Sequence, residues 1–526
     1  MKHPRVPAKT GGGSPHAVLR LHLEAGHLRR LPRIAPVREC VRGSPRTSML
    51  RAIYFDTPDL ALRERGITLC LTRERRAWKQ ILAAGEAVGG RRSRYREEWP
   101  LRRSSPDLSL AEASVLGRVF RKKRIRRGLA PVFSIRLRRT GLLLDLGEGC
   151  TAEMYLSLGE LTSGSRREQI SEAEVEVITG PPDRLLGFGL DLSDTVPLRI
   201  AWHSPVERGY RLFLGRPEPP RKGALPALRS GMAATRAMRL IAAACIQQMH
   251  ANAPGFLDGG GPEHLHQLRT GWQRLRSALS MPRDLRWKEA LEPLRPELRW
   301  LSRTLSAARN WDVLATELLP AIMHDLRPGS SPNRALGLAA MRGRCARLRK
   351  RYGETARDAL RSDRCSRLMM RIERLVAAMP SAKNVVPEGL GGSAKRFAVS
   401  VLNRRERKLQ RTAQHLSSAA ARHRVRIAAK KLRYTGEFFA SLFGKRKARR
   451  YLARLADLQD LLGALNDAAT GAALLDEAGR SGRSGVQARV TQAVAGRLVA
   501  DETDRLRRLD EAWRRFSAQE PFWVRD

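Results

Sequence analysis

The second half of the chain repeats itself, and this repeat limits the possible folds more than any other feature. In each copy a histidine is followed by basic residues three, eight and ten positions later. These residues are His266, Arg269, Arg274 and Arg276 in the first copy and His423, Arg426, Lys431 and Arg433 in the second. A leucine also lies 39 residues after each histidine, at Leu305 and Leu462. Because chance rarely gives such a match, the repeat predicts two related subdomains facing each other across a pseudo-twofold axis.

The two halves of the chain differ in the spacing of their apolar residues. Up to about residue 214, short segments alternate apolar with polar residues, as in Glu172–Val177, which is typical of β-strands. From Arg229 onward the chain is rich in Ala, Leu and Arg at helical spacing. Three prolines lie between the halves, in Gly215–Gly223, where neither a strand nor a helix continues easily. The sequence therefore predicts an α+β multidomain protein with a mainly β half followed by an all-helical half.

The charge balance limits the partners. The 526 residues include 99 Lys and Arg against 52 Asp and Glu, a formal net charge of +47. A folded chain with this charge attracts polyanions, of which nucleic acid, anionic lipid and polymeric phosphate are the candidates. No apolar segment approaches the roughly 20 residues needed to span a bilayer, so we expect no membrane partner. The six cysteines are too far apart for a CxxC clip, and together with the absence of a signal-like segment they predict a cytoplasmic protein.

The repeated basic residues predict cationic helix faces. At about 100° per residue, positions 0, +3, +7 and +10 fall within an arc of roughly 80°. In the second copy this stripe is His423, Arg426, Lys430 and Arg433, with Lys431 beside it, and in the first copy the neutral Gln273 occupies the +7 position. A solvated helix face is the simpler explanation, but such faces mix Glu with Lys, and these stripes contain no carboxylate. We therefore expect the two stripes to line one groove whose natural ligand is a phosphate chain.

Polar residues at the matching ends of the two copies form a second candidate group. They are Arg309 and Asp312 in the first copy and Asn466 and Asp467 in the second. They either orient the basic residues of the stripes or cap helices. The spacing of His264 and His266 does not place both on one helix face, so no metal site is expected there.

The helical half resembles the CHAD domain, a helical module implicated in binding inorganic polyphosphate. The segments that carry the resemblance are His264–Arg269, Arg274–Arg276, Leu298–Leu301, His423–Tyr434 and Leu458–Asp467. The resemblance implies two four-helix units that form a positively charged groove. It covers about residues 228–520, with the repeats at about 228–375 and 390–520.

The first half is similar to the CYTH domain, also called the triphosphate tunnel fold, a tunnel or barrel of antiparallel strands. The similar segments are Tyr54–Leu62, Arg136–Arg139, Glu172–Glu176 and Glu207–Arg211. In that family, carboxylates in the tunnel hold Mg²⁺ or Mn²⁺ while Lys and Arg hold a triphosphate. The resemblance places this domain at residues 15–214 and a linker at 215–227.

This chain departs from the tunnel pattern at decisive positions. The family's Glu-x-Glu-x-Lys strand aligns with His16, Val18 and Arg20, so both carboxylates are missing. The tunnel residues that remain are Glu98, Arg136, Arg138, Glu153, Glu172, Glu174 and Glu176, and their alternation predicts that they share one face. Loss of metal ligands removes most of the charge neutralisation that metal-assisted phosphoryl chemistry needs. We therefore expect a degenerate tunnel with no assigned catalytic residue and no cofactor, with Mg²⁺ or Mn²⁺ relevant only if the tunnel is active.

The leading functional hypothesis is a non-enzymatic, inorganic polyphosphate-binding protein of the cytoplasm and its polyphosphate granules. The first alternative is a metal-dependent triphosphatase that gathers its substrate with the helical half. The second is unspecific nucleic-acid binding, which the net charge allows. Single-strand binders interleave stacking aromatic residues with basic ones, whereas the stripes contain only Tyr434 at their edge.

Overall fold

A computed structural model describes most of the chain, and the uncertain residue His16 lies outside the described part. The described residues are 18–74, 77–85, 95–326, 332–379, 392–414, 418–480, 485–500 and 502–524. They form two compact units. The first takes in residues 1–220 together with 253–260 and 361–378, and the second takes in 221–252, 261–360 and 379–526.

The first unit is built on one antiparallel sheet of nine strands in the described part of the chain. The strands are β1 (Val18–His22), β2 (Val41–Asp56), β3 (Ile67–Glu74), β4 (Ala77–Ala84), β5 (Tyr95–Leu101), β6 (Ala130–Asp145), β7 (Thr151–Ser163), β8 (Arg166–Thr179) and β9 (Arg199–Ile200). Their order across the sheet is β5-β4-β3-β2-β6-β7-β8-β1-β9. The predicted antiparallel β class of this half is confirmed.

Helices pack on this sheet. They are α1 (Ala25–Arg30), α2 (Ala35–Cys40), α3 (Leu108–Ala113), α4 (Gly117–Phe120), α5 (Lys123–Gly128), α6 (Pro182–Thr195), α7 (Pro205–Leu214) and α14 (Asp363–Ala377). The last packs against α6 although the sequence analysis placed its residues in the helical half. Gly189 of α6 makes this contact possible, because a Cβ there would lie 2.9 Å from the sulfur of Met370.

Helix α7 covers the inner face of the sheet, the face that carries the apolar residues Ile135 and Leu137. It begins at a capping box in which Ser204 and Glu207 satisfy each other's backbone N–H groups. Its Tyr210 is buried in the same cluster as the two β6 residues. Gly209 allows the close approach, since a Cβ there would lie 2.3 Å from the ring of Phe133.

The second unit is helical. Its helices are α8 (Ala234–Leu257), α9 (Pro262–Leu279), α10 (Leu285–Leu291), α11 (Arg295–Val313), α12 (Leu319–Leu326), α13 (Pro332–Arg361), α15 (Ala394–Ala413), α16 (Ala419–Phe439), α17 (Lys445–Arg480), α18 (Gly485–Val499) and α19 (Glu502–Ser517). A π-helical turn, Leu314–Leu318, joins α11 to α12. The prediction of an all-helical half is confirmed. Among the described helices, none is both long and apolar enough to cross a membrane.

The two copies of the repeat contact each other at their beginnings. The backbone N–H of Ala234 donates to the carbonyl of Gly392, and the N–H of Ala394 donates to the carbonyl of Met232. Adding 160 to each residue of the first copy gives its partner's equivalent, so the two hydrogen bonds are reciprocal. A reciprocal contact is what a twofold axis produces, and the repeat predicted from sequence has this symmetry at its start.

Candidate functional site

The candidate site lies on α9 and α16, the equivalent helices of the two copies, which pack against each other. Each helix buries an apolar face, as its amphipathic pattern predicts. The buried residues include Leu268, Trp272 and Leu275 on α9 and Val425 and Leu432 on α16. Burial of these faces fixes the rotation of both helices, so the basic stripes are held in defined positions.

Four basic side chains from both copies come together, and we call them the central cluster: Arg269, Arg426, Lys430 and Arg433. Burial lowers the pKa of Lys430 to about 7, and the neighbouring charges of Arg426, Arg269 and Arg433 lower it further. Burial, followed by the charge of Arg426, lowers the pKa of Arg269 to about 10. Asp467 on α17 acts in the opposite direction on the pKa values of Lys430 and Arg426. Positive charge is therefore concentrated where water screens it poorly.

The central cluster has donor capacity that its own surroundings do not use. The Nε of Arg269 donates to the Oγ of Ser306 at 3.2 Å. The Nε of Arg426, by contrast, is buried and has no hydrogen-bond acceptor. A buried N–H without an acceptor costs about 1–3 kcal/mol, and more when the group is charged. The arrangement therefore fits an anionic oxygen supplied by a ligand.

The two histidines lie at the edge of the central cluster. The Nδ1 of His423 lies 3.1 Å from the Oδ1 of Asn466, whose Nδ2 donates to Asp467 at 3.3 Å. The pKa of His266 is lowered by burial, and the charges of Arg309 and Arg269 lower it further. A neutral imidazole offers one N–H, so each histidine can supply one donor to a ligand.

The four residues predicted as supporting groups divide into two sets. Asn466 and Asp467 contact or influence members of the basic stripes, as described above. Arg309 lies near His266, and its Nη2 also pairs with Glu317 at 2.8 Å. Asp312 instead pairs with Arg349 on α13 at 2.6 Å, so it supports the packing of that helix.

Two of the predicted binding arginines are tied to a carboxylate that the sequence analysis missed. The Nη2 of Arg274 lies 2.7 Å from one oxygen of Glu437, and the Nε of Arg433 lies 3.6 Å from the other. Arg274 also donates to Gln248 at 3.1 Å. Glu437 follows His423 by 14 residues and continues the same stripe, so the expectation of carboxylate-free stripes is wrong beyond the +10 position.

Arg276 and Lys431 belong to a separate basic group. Burial lowers the pKa of Lys431, and Arg405, Arg276 and Lys408 lower it further. The Nη1 of Arg276 donates to the Oγ of Ser302 at 2.7 Å. The structure therefore divides the predicted stripe residues between two groups on α9 and α16.

Arg405 of α15 was missed by the sequence analysis because no motif surrounds it. It is buried, and burial lowers the pKa of its guanidinium to about 9. It donates to the carbonyl of Ser277 at 2.8 Å and to the carbonyl of Lys431 at 2.6 Å, and also bonds the hydroxyl of Thr435. Arg405 therefore fastens the carboxyl end of α9 to α16 and holds the two stripes together.

The remaining tunnel residues lie in the first unit, where arginines of the same unit occupy the acidic row. Arg20 on β1 faces Glu174 on β8, and their side chains are 2.5 Å apart. Glu172 pairs with Arg208 of α7. Arg208 also lies 2.7 Å from Glu168, a carboxylate that binds Arg211 as well. Within the described part of the chain, no three His, Cys, Asp or Glu side chains are arranged to hold a metal ion.

Other predicted tunnel residues are in different surroundings from those expected. Glu98 lies 2.8 Å from Arg96 and 3.7 Å from Lys79, so its charge is compensated. Glu153 faces Glu176 across β7 and β8. Glu153 also hydrogen-bonds Tyr155 and, after burial, contributes to raising the pKa of that phenol to about 12.

The prediction that Arg136 and Arg138 share the face of the glutamate row is wrong. The residue of β6 on that face is Arg139, which is opposite Ser157, itself opposite Glu172. Arg139 lies 4.0 Å from Glu174 and stacks on Tyr155. Arg136 and Arg138 are exposed on the outer face, because the residues between them are the apolar ones buried beneath α7.

Comparison with known proteins agrees with this organisation. The family model of the CHAD domain matches residues 240–476. Among solved structures, the chain is similar to the CHAD domain of the plant Ricinus communis, with 29% identity and a TM-score of 0.49 over 58% of this chain and 98% of that one. It is also similar to PptA from Streptomyces chartreusis, with 19% identity and a TM-score of 0.43 over 54% of this chain and 99% of that one.

The first half has relatives among tunnel proteins. One is HpAC1 from Hippeastrum, described as an adenylyl cyclase with a dominant triphosphatase activity. It shares 16% identity with a TM-score of 0.26, over 39% of this chain and 98% of that one. The chain thus contains a CHAD domain, and its N-terminal part resembles the triphosphate tunnel structures.

Proposed function

We propose that the CHAD domain of this chain, matched at residues 240–476, binds inorganic polyphosphate along the basic faces of α9 and α16. The observation that carries the proposal is the central cluster, in which Arg269, Arg426, Lys430 and Arg433 lie close together although their charges repel. Selection for stability alone removes such repulsion, so an anionic ligand gives the arrangement a purpose. The buried Nε of Arg426 supplies a donor that a phosphate oxygen satisfies.

A phosphate chain fits the site better than a nucleic acid does. Unspecific single-strand binders stack bases on exposed aromatic rings along their basic groove. Tyr434, the aromatic residue of the second stripe, is only 5% exposed, and its hydroxyl donates to Gln273 at 3.2 Å. Trp272 is buried as well. These rings are unable to stack on bases, whereas arginine and lysine side chains bind phosphate oxygens without any aromatic partner.

The triphosphatase alternative is less well supported by the geometry. A metal-assisted reaction needs carboxylates that can coordinate Mg²⁺ or Mn²⁺. Glu172 and Glu174 are instead paired with Arg208 and Arg20. We therefore assign the first unit no catalytic residue, and we propose that phosphate-chain binding requires no metal or other cofactor.

The experiment that tests this function is a competition titration. The full chain is titrated with long-chain polyphosphate against RNA of matched charge at about 0.15 M salt, where distant surface charges are screened. Free phosphate is measured in the same samples with and without Mg²⁺ or Mn²⁺. We expect a preference for polyphosphate, unchanged in EDTA, without phosphate release. Equal affinity for both polymers would show that only the net charge acts, and metal-dependent release would restore the triphosphatase hypothesis.

We also propose that the protein works in the cytoplasm. All six cysteines are free thiols and five of them are buried, which suits a reducing compartment. Fluorescence microscopy of a tagged full chain tests this. Signal in the cytoplasm that gathers at polyphosphate granules is expected, and exclusive signal at the cell envelope would contradict it.

A further inference from the structure

Three arginines form a straight row across the outer face of the sheet in the first unit. Arg51 on β2 lies directly opposite Arg73 on β3 and directly opposite Arg136 on β6. Neighbouring strands are about 4.8 Å apart, so the three side chains leave the sheet side by side. We call Arg73, Arg51 and Arg136 the arginine row.

The arginine row is exposed and carries uncompensated charge. All three side chains are exposed, and among the described residues no carboxylate lies within salt-bridge distance of them. Glu160 faces Arg136 on β7, but its carboxylate lies 3.6 Å from Arg167 instead. Like charges directly opposite each other on a sheet are destabilising, by about 0.2–1 kcal/mol per pair relative to small neutral residues. The row therefore lowers the stability of the sheet.

The surface around the row is open. Arg138 lies two residues along β6 on the same face, opposite Met49, whose side chain is 65% exposed. The helices of the first unit therefore leave this part of the sheet uncovered. A ligand reaching the arginine row also meets Arg138, so four guanidinium groups are available on one surface.

We propose that the arginine row is a second binding surface for an unbranched phosphate chain, separate from the central cluster. The identity of the ligand rests on the proposed function, while the surface itself rests on the register of the sheet. Each guanidinium presents a planar fork that can donate two hydrogen bonds to one phosphate. Side chains at strand spacing thus match a linear polyanion that crosses the strands.

A phosphate chain suits this surface better than RNA does. The aromatic residue beside the row is Trp78, which lies under Arg73 with the guanidinium 5.7 Å from its ring. The ring also packs against the apolar cluster that contains Leu71 and Leu82. It is thus already occupied on both sides, and no exposed ring alternates with the arginines as a base-stacking surface requires.

Arginine footprinting tests the proposal with a separate readout for each site. The full chain is modified with phenylglyoxal with and without long-chain polyphosphate, and modified peptides are quantified by mass spectrometry. We expect polyphosphate to protect Arg51 and Arg136 but not Arg102 or Arg103, which are exposed in the bend after β5. Equal modification of Arg51 and Arg136 with and without polyphosphate overturns the proposal. Equal protection by RNA of matched charge overturns the assignment of the ligand.

The same digests separate this proposal from the proposed function. Protection of Arg269 and Arg426 reports on the central cluster, so either site can fail while the other is confirmed. As a second test, R51E/R136E is compared with the control R102E/R103E, which changes the net charge equally. We expect R51E/R136E to weaken polyphosphate binding about tenfold or more relative to the control, from the loss of charge-assisted hydrogen bonds. Equal affinity of the two variants overturns the proposal.

Folding does not confuse this comparison. A glutamate at position 51 lies between Arg73 and Arg136 and converts repulsion into attraction. The single variant R51E is therefore expected to unfold at the same temperature as the unchanged protein or higher, while its protection by polyphosphate at Arg136 falls. A lower unfolding temperature would show that Arg51 has a structural role and would contradict the proposal.

Discussion

The affinity for polyphosphate is expected to fall as the pH rises through 7, because Lys430 loses its proton there in the ligand-free protein. Burial lowers its pKa to about 7, and Arg426 and Arg433 on its own helix and Arg269 on α9 lower it further. Asp467 on α17 opposes this effect. A bound phosphate chain favours the ammonium form and raises the pKa of Lys430. Binding at neutral pH therefore takes up a proton.

The size of the effect follows from this difference in pKa. At pH 6 Lys430 is already protonated in the free protein, so its protonation costs little. Above pH 7 each further pH unit makes protonation more costly by about 1.4 kcal/mol, a factor of about ten in affinity, until the pKa of the bound form is reached. Between pH 6 and pH 8 we expect the affinity to fall about tenfold.

Titrations at pH 6, 7 and 8 at constant ionic strength measure this, with K430R as the matched control. Arginine keeps its charge over this range, so the decline in affinity is expected to be much smaller in K430R. Both proteins retain His266, whose pKa is lowered, and His423, so the difference between them belongs to Lys430. Calorimetry in two buffers of different ionisation enthalpy should also show proton uptake that K430R lacks. The same decline in both proteins would refute the argument.

Three further predictions concern single residues. E437Q removes the charge that holds two stripe arginines and should raise polyphosphate affinity by up to about fivefold in titrations, and an unchanged or lower affinity would contradict the assigned role. R405M leaves buried carbonyls without donors and should lower the free energy of unfolding of the second unit by about 2–4 kcal/mol in denaturant titrations, so unchanged stability would contradict it. G209A forces a methyl group against Phe133 and should destabilise the first unit by about 1–3 kcal/mol in the same assay while footprints at the central cluster stay unchanged.

The repeat was the most informative feature of the sequence. Equal spacing of basic and apolar residues predicted two related helical copies, and the reciprocal hydrogen bonds of Ala234 and Ala394 place a pseudo-twofold contact between them. Helical periodicity also predicted which faces are buried. Such predictions succeed because local spacing sets which side of a helix is apolar, and that side must be buried.

Contacts between distant segments were not predictable in the same way. Glu437 was visible as the next position of the stripe, but its pairing with Arg274 depends on how α9 and α16 pack. Arg208 lies 36 residues from Glu172, and only the docking of α7 on the sheet brings them together. Neutralisation of the acidic row is thus a tertiary effect, which residue spacing does not encode.

The error at Arg136 and Arg138 had a signal in the sequence. Alternation correctly placed these two on one face of β6, but it did not say which face is covered. Ile135 and Leu137 alternate with them, and apolar residues mark the covered face of a strand. Weighing these neighbours would have selected Arg139 as the residue that meets the glutamate row.

The central claim is that the basic cluster shared by the two copies holds the phosphate chain. The most direct measurement is the affinity of R269Q/R426Q for long-chain polyphosphate relative to R407Q/R411Q. The control removes two exposed arginines of α15 that hydrogen-bond only backbone carbonyls of their own helix, so the net charge changes equally. Both variants should stay folded in thermal unfolding measured by circular dichroism. We expect R269Q/R426Q to bind about a hundredfold more weakly than the control, and equal affinities would contradict the claim.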